Sequence, residues 1–229
     1  MSTMSNCVEH EFYSQPNEAL KQRKFVEYKT QYIDKFFPED KTAKILDLGC
    51  SYGLFLDACN RCGFLDYEGV DFDDKAVSYA RREFGLKNIF KDDIFNFIDS
   101  RSDDTYDVIT AFNIIEHIKK EKVETLLNLI YRKLKPHGLL FIEVPNADSP
   151  IGIHTFYSDI THEFAYTKSL VTRLLETAGF KNTKVMPNRV RSNLIIRLAQ
   201  KVLAKVVGFD DKLMFSGNII VIGQKSYER

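Results

Sequence analysis

The sequence has no tryptophan, no excess of charge of either sign and no apolar run long enough to cross a membrane. Lysine plus arginine and aspartate plus glutamate both number 32, so the formal net charge is +0 at pH 7. Without a net positive field the chain has no general attraction for a polyanion, and we expect no nucleic-acid partner. A membrane-spanning helix needs about 18 or more apolar residues in a row. The first residues, MSTMSNCVEHEFYS, form no apolar signal segment, so we expect a soluble, cytoplasmic protein.

Cysteine is also scarce, and its placement indicates neither disulfides nor a metal site. The four cysteines are Cys7, Cys50, Cys59 and Cys62. Cys59 and Cys62 have the C-x-x-C spacing of redox and zinc sites, but there is no second pair, and they fall at the end of a predicted helix before Gly63. We interpret them as reduced thiols that pack in the core.

The stretch 44–60, KILDLGCSYGLFLDACN, is the one around which the chain is organised. A short apolar run indicates a buried strand, a glycine turn follows, and apolar residues at helical spacing then resume. The first N–H groups of such a helix have no intrahelical partner, and glycines let the backbone approach a ligand. A second apolar run ends in Asp71, where a nucleotide-binding unit places an acid that accepts both ribose hydroxyls.

The glycine pattern decides which nucleotide this unit suits. A dinucleotide fingerprint needs G-x-G-x-x-G, but counting from Gly49 the chain has Ser51 and Leu54 at the second and third glycine positions. S-adenosylmethionine (AdoMet) has no phosphate, and it needs a carboxylate for its ammonium group and a loose turn for its amino-acid end. Asp47, Gly49 and Gly53 meet this need. They resemble the first motif of the class I AdoMet-dependent methyltransferases, with Ser51 in place of the usual middle glycine.

The resemblance to this family continues in order along residues 45–146. It implies that Asp93, rather than Asp92, binds the adenine amino group and that Ile94 covers the ring. The segment after the fourth predicted strand would line the methionine part of the cofactor, and LKPHGLLFIEVPN is similar to the family's LKPGG-strand. The cofactor-binding positions implied by the resemblance are Asp47, Gly49, Cys50, Tyr52, Gly53, Asp71, Phe72, Asp93, Ile94, Ala111, Phe112 and Asn113.

Glu116 and His117 close the segment after the fourth predicted strand. This segment resembles the motif, usually ending in Glu-His, of methyltransferases related to ubiquinone and sugar methylation. Three interpretations stay open: the pair could orient an acceptor, bind a divalent metal with a distant third ligand, or pair with the backbone and each other. No residue is therefore assigned as a metal ligand.

Residues 147–166 show no regular pattern, and so long a loop in a compact domain is more often a binding element than a spacer. Part of this loop and the predicted helix after it resemble the tail of methyltransferases from polysaccharide and O-antigen biosynthesis clusters. The residues that carry this resemblance are Asp159, Thr161, His162, Phe164, Thr167, Ser169, Leu170 and the run 174–180. The resemblance implies a small-molecule acceptor, a sugar or nucleotide-sugar.

Methyl transfer to a hydroxyl needs positioning, desolvation and a base, because a sugar hydroxyl is nearly un-ionised at neutral pH. Histidine suits this role, since its pKa of about 6.5 leaves it mostly neutral at pH 7. We predict His162 as the base, Asp159 as its orienting carboxylate, and His117 as the second candidate. Two alternatives stay open. One is methylation of a quinone precursor or a phosphorus-containing anion, and the other is an AdoMet-fold binding module without catalysis.

The order of the predicted elements implies an α/β fold with a doubly wound, mostly parallel sheet and helices on both faces. The resemblance to the methyltransferases implies seven strands, the last one antiparallel. The strands are predicted at 45–48, 67–70, 87–91, 106–111, 139–144, 180–186 and 213–224. The helices are predicted at 19–37, from 54 onward, and at 73–84, 119–135 and 168–178.

We predict one domain, residues 1–229, in three parts: an N-terminal cap at 1–41, a cofactor-binding core at 42–147 and an acceptor side at 148–229. Tyr13 in the cap is a candidate lid residue. The acceptor side contains a basic insertion at 188–209, whose arginines and lysines at 189–207 alternate with apolar residues and include no acid. This amphipathic insertion could dock on the domain, bind an anionic acceptor or touch a membrane surface. A homodimer also stays open.

Overall fold

A seven-stranded sheet forms the centre of the computed structural model, which describes residues 15–188, 202, 206 and 216–227. The strands are β1 (Ile45–Leu48), β2 (Tyr67–Asp71), β3 (Ile89–Lys91), β4 (Tyr106–Phe112), β5 (Leu134–Pro145), β6 (Phe180–Pro187) and β7 (Asn218–Lys225). Their order across the sheet is β3-β2-β1-β4-β5-β7-β6. Strands β1 to β5 pair in parallel, whereas β7 runs antiparallel to both β5 and β6. The predicted fold class is therefore confirmed.

Apart from the N-terminal helix, the helices lie between strands along the chain and connect them, as expected of a doubly wound sheet. They are α1 (Glu18–Tyr28), α2 (Leu54–Arg61), α3 (Asp74–Phe84), α4 (Ile94–Asp99), α5 (Lys120–Lys133), α6 (Pro150–Tyr157) and α7 (Lys168–Thr177). Helix α1 continues through a π-helical turn, Lys29–Ile33, and one more short turn, Asp34–Phe36. A 3-10 turn, Ile115–His117, follows β4.

Two hydrophobic clusters cover the two faces of the sheet because successive strand residues point to opposite sides. Ile45, Val108 and Phe141 pack with residues of α1, α2 and α3. Their neighbours along the strands pack with residues of α4, α5 and α7. Burial on both faces explains why these strands read as nearly continuous apolar runs.

The N-terminal helix is fixed over one edge of the sheet by aromatic contacts. Tyr28 and Tyr32 lie 5.9 Å and 4.8 Å from Phe112 between ring centroids. The hydroxyl of the fully buried Tyr32 donates a hydrogen bond of 2.6 Å to Glu143 Oε2. The cap therefore covers the carboxyl ends of β4 and β5.

Helix α4 was not predicted, β7 begins at Asn218 rather than at 213, and two further predicted boundaries are wrong. Residues 147–166 were expected to be irregular, but they contain α6, which Ser149 caps by accepting from the N–H groups of Ile151 and Gly152. Strand β5 begins at Leu134 rather than at 139, because Leu134 already pairs with Tyr106 before the register shifts.

Two predictions lie outside the described residues. These are the lid role of Tyr13 and the structure of the basic insertion, of which only residues 188, 202 and 206 are described. Among the described residues, no helix combines the length and the apolar character that crossing a membrane requires.

Candidate active site

The turn after β1 lies at the carboxyl edge of the sheet, where the chain order changes direction between β1 and β4. Open α/β sheets bind ligands at this point. The N–H groups of Gly49 and Cys50 donate to the carbonyl of Val70 at 2.8 and 3.0 Å. The N–H of Ser51 donates to Asp71 Oδ2 at 2.7 Å. These bonds tie the turn to the end of β2.

Glycine is required in this turn for contacts within the protein. Gly49 has φ +72°, and a Cβ there would overlap the side chain of Ile114. A Cβ on Gly53, at φ +75°, would come within 2.8 Å of the Ala80 methyl group on α3. Ser51 adopts φ 45°, which L-residues other than glycine seldom take up. The turn therefore keeps its glycine-like shape at the position where the usual middle glycine is missing.

Asp47 is a buried carboxylate, 3% exposed, at the end of β1. The Thr110 hydroxyl donates to its Oδ1 at 2.6 Å. The pKa of Asp47 is raised to about 7, chiefly by burial; the Thr110 hydrogen bond opposes the rise and the negative charge of Asp71 adds to it. A cation brought next to this carboxylate would therefore be bound strongly.

Asp71 is held at the tip of β2 by hydrogen bonds from backbone N–H groups. Its Oδ2 accepts from Ser51, and its Oδ1 accepts from the N–H of Asp73 at 2.9 Å. Burial raises the pKa of Asp71, and these two hydrogen bonds oppose the rise. Phe72, the next residue, is 79% exposed. A fixed carboxylate beside an exposed aromatic ring suits a nucleoside.

Asp93 and Ile94 begin α4 at the neighbouring edge position. Asp93 Oδ1 accepts from the N–H groups of Phe95 and Asn96 at 2.9 and 3.2 Å, so this carboxylate caps the helix. Asp92 accepts from the N–H of Asp93 at 2.7 Å. Ile94 is half-buried. The side chain predicted for adenine binding therefore also has a structural role.

The end of β4 brings the remaining predicted positions to the same edge. Ala111 is fully buried, and Phe112 lies in the aromatic contacts with α1. Asn113 adopts φ 54°, and its Oδ1 accepts from Asn218 Nδ2 at 3.0 Å. Asn113 N–H also donates to the Glu143 carbonyl at 2.8 Å.

Cys50 and Tyr52 flank the glycine turn on its inner and outer sides. Cys50 is 5% exposed, and burial raises the pKa of its thiol far above the usual range. Tyr52 is half-buried and lies edge-on to Tyr79, with 5.1 Å between ring centroids. The thiol is therefore protonated at neutral pH and packs as an apolar group.

A second group of chemically active side chains lies after β4. One possible ligand atom from each of Glu116, His117 and His162 lies within 4.8 Å of the others. The two imidazole rings are 4.6 Å apart between centroids. The loop of His162 is joined to this segment by the N–H of Glu163, which donates to the Glu116 carbonyl at 2.7 Å.

Glu116 is fully buried, and neither of its carboxylate oxygens has a hydrogen-bond partner among the described residues. The pKa of Glu116 is raised to about 8, chiefly by burial and to a smaller extent by the charges of Glu143 and Asp159, while a backbone hydrogen bond lowers it. A buried polar group without a partner costs stability and therefore calls for an explanation in terms of function.

The hydrogen bonds around the two histidines fix their tautomers. His162 Nδ1 lies 2.7 Å from the Phe156 carbonyl, which can only accept, so Nδ1 carries the proton. The Thr161 hydroxyl donates to Asp159 Oδ1 at 2.6 Å, so His117 Nδ1, 2.9 Å from that hydroxyl oxygen, must donate to it. The neutral rings therefore keep Nε2 as the acceptor. Burial lowers the pKa of His117, and His162 lowers it further.

These bonds correct one prediction. Asp159 was expected to orient His162, but the Phe156 carbonyl has that position. Asp159 instead orients His117 through the Thr161 hydroxyl. The reason is local: Thr161 follows Asp159 by two residues, so its N–H and its hydroxyl both reach the same carboxylate oxygen.

Residues 20–185 match a family model described as a methyltransferase domain. The chain belongs to this family. Its members share the class I, Rossmann-like architecture seen here, and AdoMet is the cofactor of this methyltransferase.

Individual relatives agree with this assignment. The methyltransferase is 31% identical over 119 residues to a mitochondrial ubiquinone biosynthesis O-methyltransferase of Bos taurus, a match that covers 45% of this chain and 29% of that protein. The chain thus spans less than a third of the bovine relative. A SAM-dependent methyltransferase from Archaeoglobus fulgidus is similar in structure with a TM-score of 0.72 and 25% identity, covering 89% of this chain and 94% of that one.

A third relative was solved with the cofactor. The Haemonchus contortus phosphoethanolamine N-methyltransferase 2, in complex with S-adenosyl-L-methionine, has a TM-score of 0.59 and 17% identity. The match covers 90% of this chain and 52% of that one. At this identity the likeness shows the shared fold.

The site of the methyltransferase fits AdoMet on its own geometry. Asp47 is buried without a cation beside it among the described residues, and its raised pKa means that an ammonium group would stabilise its ionised form. Asp71 accepts from Ser51 on Oδ2 and from Asp73 on Oδ1, and a carboxylate with about four lone-pair sites keeps acceptor capacity for a ribose hydroxyl.

The sequence predictions named His117 and His162 as candidate bases and left the role of Glu116 open between orienting an acceptor, binding a metal with a distant third ligand, and structural pairing. The sequence did offer one signal for Glu116, its position next to His117 after the fourth predicted strand. Its missing partners and its distance to His162 depend on how residues 159–166 fold back, which no local pattern records.

Proposed function

We propose that this methyltransferase transfers the methyl group of AdoMet to a hydroxyl of a small molecule. The observation that carries the proposal is the Glu116, His117 and His162 group at the carboxyl edge of the sheet, with an acceptor nitrogen on each imidazole ring. A base within reach of a hydroxyl accelerates such a transfer by roughly a factor of 10² to 10⁴.

The cofactor roles that we propose follow from the carboxylates. Asp47 binds the ammonium group of AdoMet, Asp71 accepts from the ribose hydroxyls, and Asp93 accepts from the adenine amino group while it caps α4. Phe72 and Ile94 contact the adenine ring. The remaining contacts are with the turn residues Gly49, Cys50, Tyr52 and Gly53 and with Ala111, Phe112 and Asn113.

AdoMet supplies an electrophilic methyl group on a sulfonium, and the chain supplies position and the base. His162 Nε2 accepts the proton of the acceptor hydroxyl as the oxygen bonds to the methyl carbon and the carbon–sulfur bond breaks. The products are a methyl ether, S-adenosylhomocysteine and a protonated His162. The Phe156 carbonyl holds Nδ1–H and so stabilises the imidazolium.

For the acceptor, we propose a sugar or a nucleotide-sugar of polysaccharide biosynthesis. Support comes from the resemblance of residues 159–180, which include His162, to the tail of methyltransferases from such clusters. The acceptor would then lie against the loop that carries the proposed base.

A ring hydroxyl of a quinone precursor is the second candidate. The bovine relative is named for ubiquinone biosynthesis. Two large side chains close to His162 in the sequence, Tyr157 and Ile160, are 79% and 78% exposed and would suit an apolar acceptor.

His162→Ala tests the proposed base. We expect AdoMet affinity to change less than twofold, while turnover falls by about 10² or more because the proton acceptor is lost. Release of S-adenosylhomocysteine is measured with nucleotide-sugars, sugar phosphates and phenols as acceptors. His154→Ala, a change at an exposed histidine of α6, is the matched control. Unchanged turnover in His162→Ala would remove His162 as the base.

A further inference from the structure

The buried carboxylate of Glu116 has a ligand-binding arrangement around it that general base catalysis does not explain. Both of its oxygens are without partners among the described residues, and the side chain is 0% exposed. The backbone on either side is fixed, because the carbonyl of Glu116 accepts from Glu163 and Phe164 and that of Ile115 accepts from the Tyr166 hydroxyl. The backbone of Glu116 is therefore held in position, and within the described part of the chain no cation pairs with its carboxylate.

The two histidines next to it have the hydrogen-bond pattern of metal ligands. Histidines that bind metals through one nitrogen donate the other N–H to a carbonyl, a carboxylate or a water, which fixes the ring. His162 Nδ1–H donates to a carbonyl, and His117 Nδ1–H donates to a hydroxyl that is itself bound to Asp159. Both rings are thus oriented from outside, with Nε2 left for an ion.

We propose that Glu116, His117 and His162 bind one divalent first-row transition-metal ion, with Zn²⁺ as the representative. Two imidazoles and one carboxylate are a ligand set of such sites, and three protein ligands leave coordination positions open. The ligand atoms lie within 4.8 Å of one another. A tetrahedral ion with bonds of about 2.1 Å holds its ligands about 3.4 Å apart, so the three side chains close by roughly 1 Å on binding.

The use of this ion in catalysis rests on the proposed methyl transfer to a hydroxyl. An open coordination position would take the acceptor oxygen, and a divalent ion there would lower the pKa of the bound hydroxyl group. The oxygen then loses its proton to solvent before it bonds to the methyl carbon. In this form His162 is a ligand, and the ion replaces it as the group that activates the acceptor.

The first test measures metal binding on the whole chain without AdoMet or acceptor. Metal-free protein is titrated with Zn²⁺ by calorimetry and with Co²⁺ by visible absorption, with Mg²⁺ as the comparison ion. We expect one Zn²⁺ per chain, a Co²⁺ spectrum of low coordination number, and Mg²⁺ affinity at least 100-fold weaker because Mg²⁺ prefers oxygen ligands.

Glu116→Gln and His162→Ala should each weaken Zn²⁺ binding by about 10-fold to 100-fold or more, and Glu163→Gln, an exposed acid of the same loop, should leave it unchanged. Circular dichroism and thermal unfolding of the metal-free variants show whether each is folded. Zn²⁺ should raise the unfolding temperature of the wild type and of Glu163→Gln only. A stoichiometry below one, equal affinity for Mg²⁺, or full affinity in folded Glu116→Gln would each overturn the site.

The outcomes separate this inference from the proposed function. Methyl transfer that persists in metal-free protein and is lost in His162→Ala would support His162 as the base and refute a catalytic role of the ion. Binding of one Zn²⁺ per chain without methyl transfer to any hydroxyl would support the metal site and refute the proposed reaction.

Discussion

Asp47 shows how burial at a single residue can prepare a site for a charged ligand. The sequence indicated a carboxylate for the ammonium of AdoMet, and the structure adds that the carboxyl is 3% exposed and bound by Thr110. Its pKa is raised to about 7, chiefly because it is buried. The free protein therefore carries a carboxyl that is ionised only in part at neutral pH.

The affinity for AdoMet should consequently depend on pH. Below about pH 7 the carboxyl of Asp47 is protonated and offers no charge to the ammonium group, so affinity should fall about tenfold per pH unit. Calorimetric titration of AdoMet between about pH 5.5 and 7.5 measures this slope. An affinity that does not change over this range would contradict the role of Asp47.

Asp47→Asn provides the control, because its amide oxygen still accepts from Thr110 while the charge is gone. Its weak AdoMet binding should lack the slope. The folded pKa of Asp47 lies above its unfolded value of about 3.9, so its contribution to stability is present below about pH 4 and is lost as pH rises to about 7. Without cofactor at pH 8, Asp47→Asn should therefore be the more stable protein.

Gly49→Ala should destabilise the fold by about 3 kcal/mol or more, because it combines a positive φ with an overlap against Ile114. Gly85→Ala is the matched control: it has φ +64° but nothing within 4 Å of its Cβ, and should cost about 1–2 kcal/mol. Urea unfolding gives both values. Ile114→Ala should recover part of the loss in Gly49→Ala, and equal losses in the two single variants would contradict the steric explanation.

At the scale of single elements, capping side chains can serve both the helix and the ligand. Asp93 accepts from two N–H groups at the start of α4 and is also proposed to bind adenine. Thr167 and Asn17 cap their helices with one hydrogen bond each. Because caps are local, the sequence indicated the starts of α1 and α7 to within a residue or two, whereas α4 was not predicted.

Two variants should separate the roles of Asp93. Asp93→Ala should lower the free energy of unfolding by about 1 kcal/mol because the cap is lost, and Asp93→Asn should keep most of it. Both variants should weaken AdoMet binding. Asp93→Ala has no acceptor for the adenine amino group, and in Asp93→Asn the amide oxygen caps the helix, so its NH₂ group faces the adenine amino group as a second donor. Chemical unfolding and calorimetry measure the two effects. Full AdoMet affinity in Asp93→Asn would refute the adenine contact.

The elements that the sequence missed are those with weak periodicity. Helix α6 has its signals, Ser149 as the N-cap and Pro150 in the first turn, but no apolar stripe, and only Gly152 and Phe156 are buried in it. The early start of β5 was hidden because Pro136 and Gly138 read as a helix stop. The strongly apolar strands and the amphipathic α5 were predicted correctly because their patterns follow directly from burial.

At the scale of the whole molecule, the site depends on contacts between segments far apart in the chain. His162 reaches Glu116 only because residues 146–166 return to β4, through the bridge of Asn146 to Tyr166 and the bonds to the Glu116 carbonyl. The sequence could indicate histidines and acids of the right type. It could not indicate that Asp159 serves His117 and not His162, since that depends on a tertiary contact.

The N-terminal cap is joined to the sheet by a buried network around Glu143. Its carboxylate accepts from Tyr32, Asn188 and Asn218 at 2.6, 2.6 and 2.9 Å. Glu143 is 5% exposed, and these three donors from separate segments compensate the cost of burying its charge.

Tyr32→Phe should therefore lower the free energy of unfolding by about 1–3 kcal/mol, because Glu143 loses one donor while remaining buried. Tyr157→Phe, at a residue 79% exposed, should change it by less than about 0.5 kcal/mol. In a Glu143→Gln background the cost of Tyr32→Phe should shrink, since an uncharged acceptor needs the donor less. Equal costs in both backgrounds would contradict the coupling.

A crystal structure of the protein with S-adenosylhomocysteine tests the proposed cofactor site and its position relative to the histidines most directly. We predict the ribose hydroxyls on Asp71, the amino group on Asp47, and the sulfur facing the Glu116, His117 and His162 group. A nucleoside bound elsewhere, or a sulfur turned away from these three residues, would contradict it.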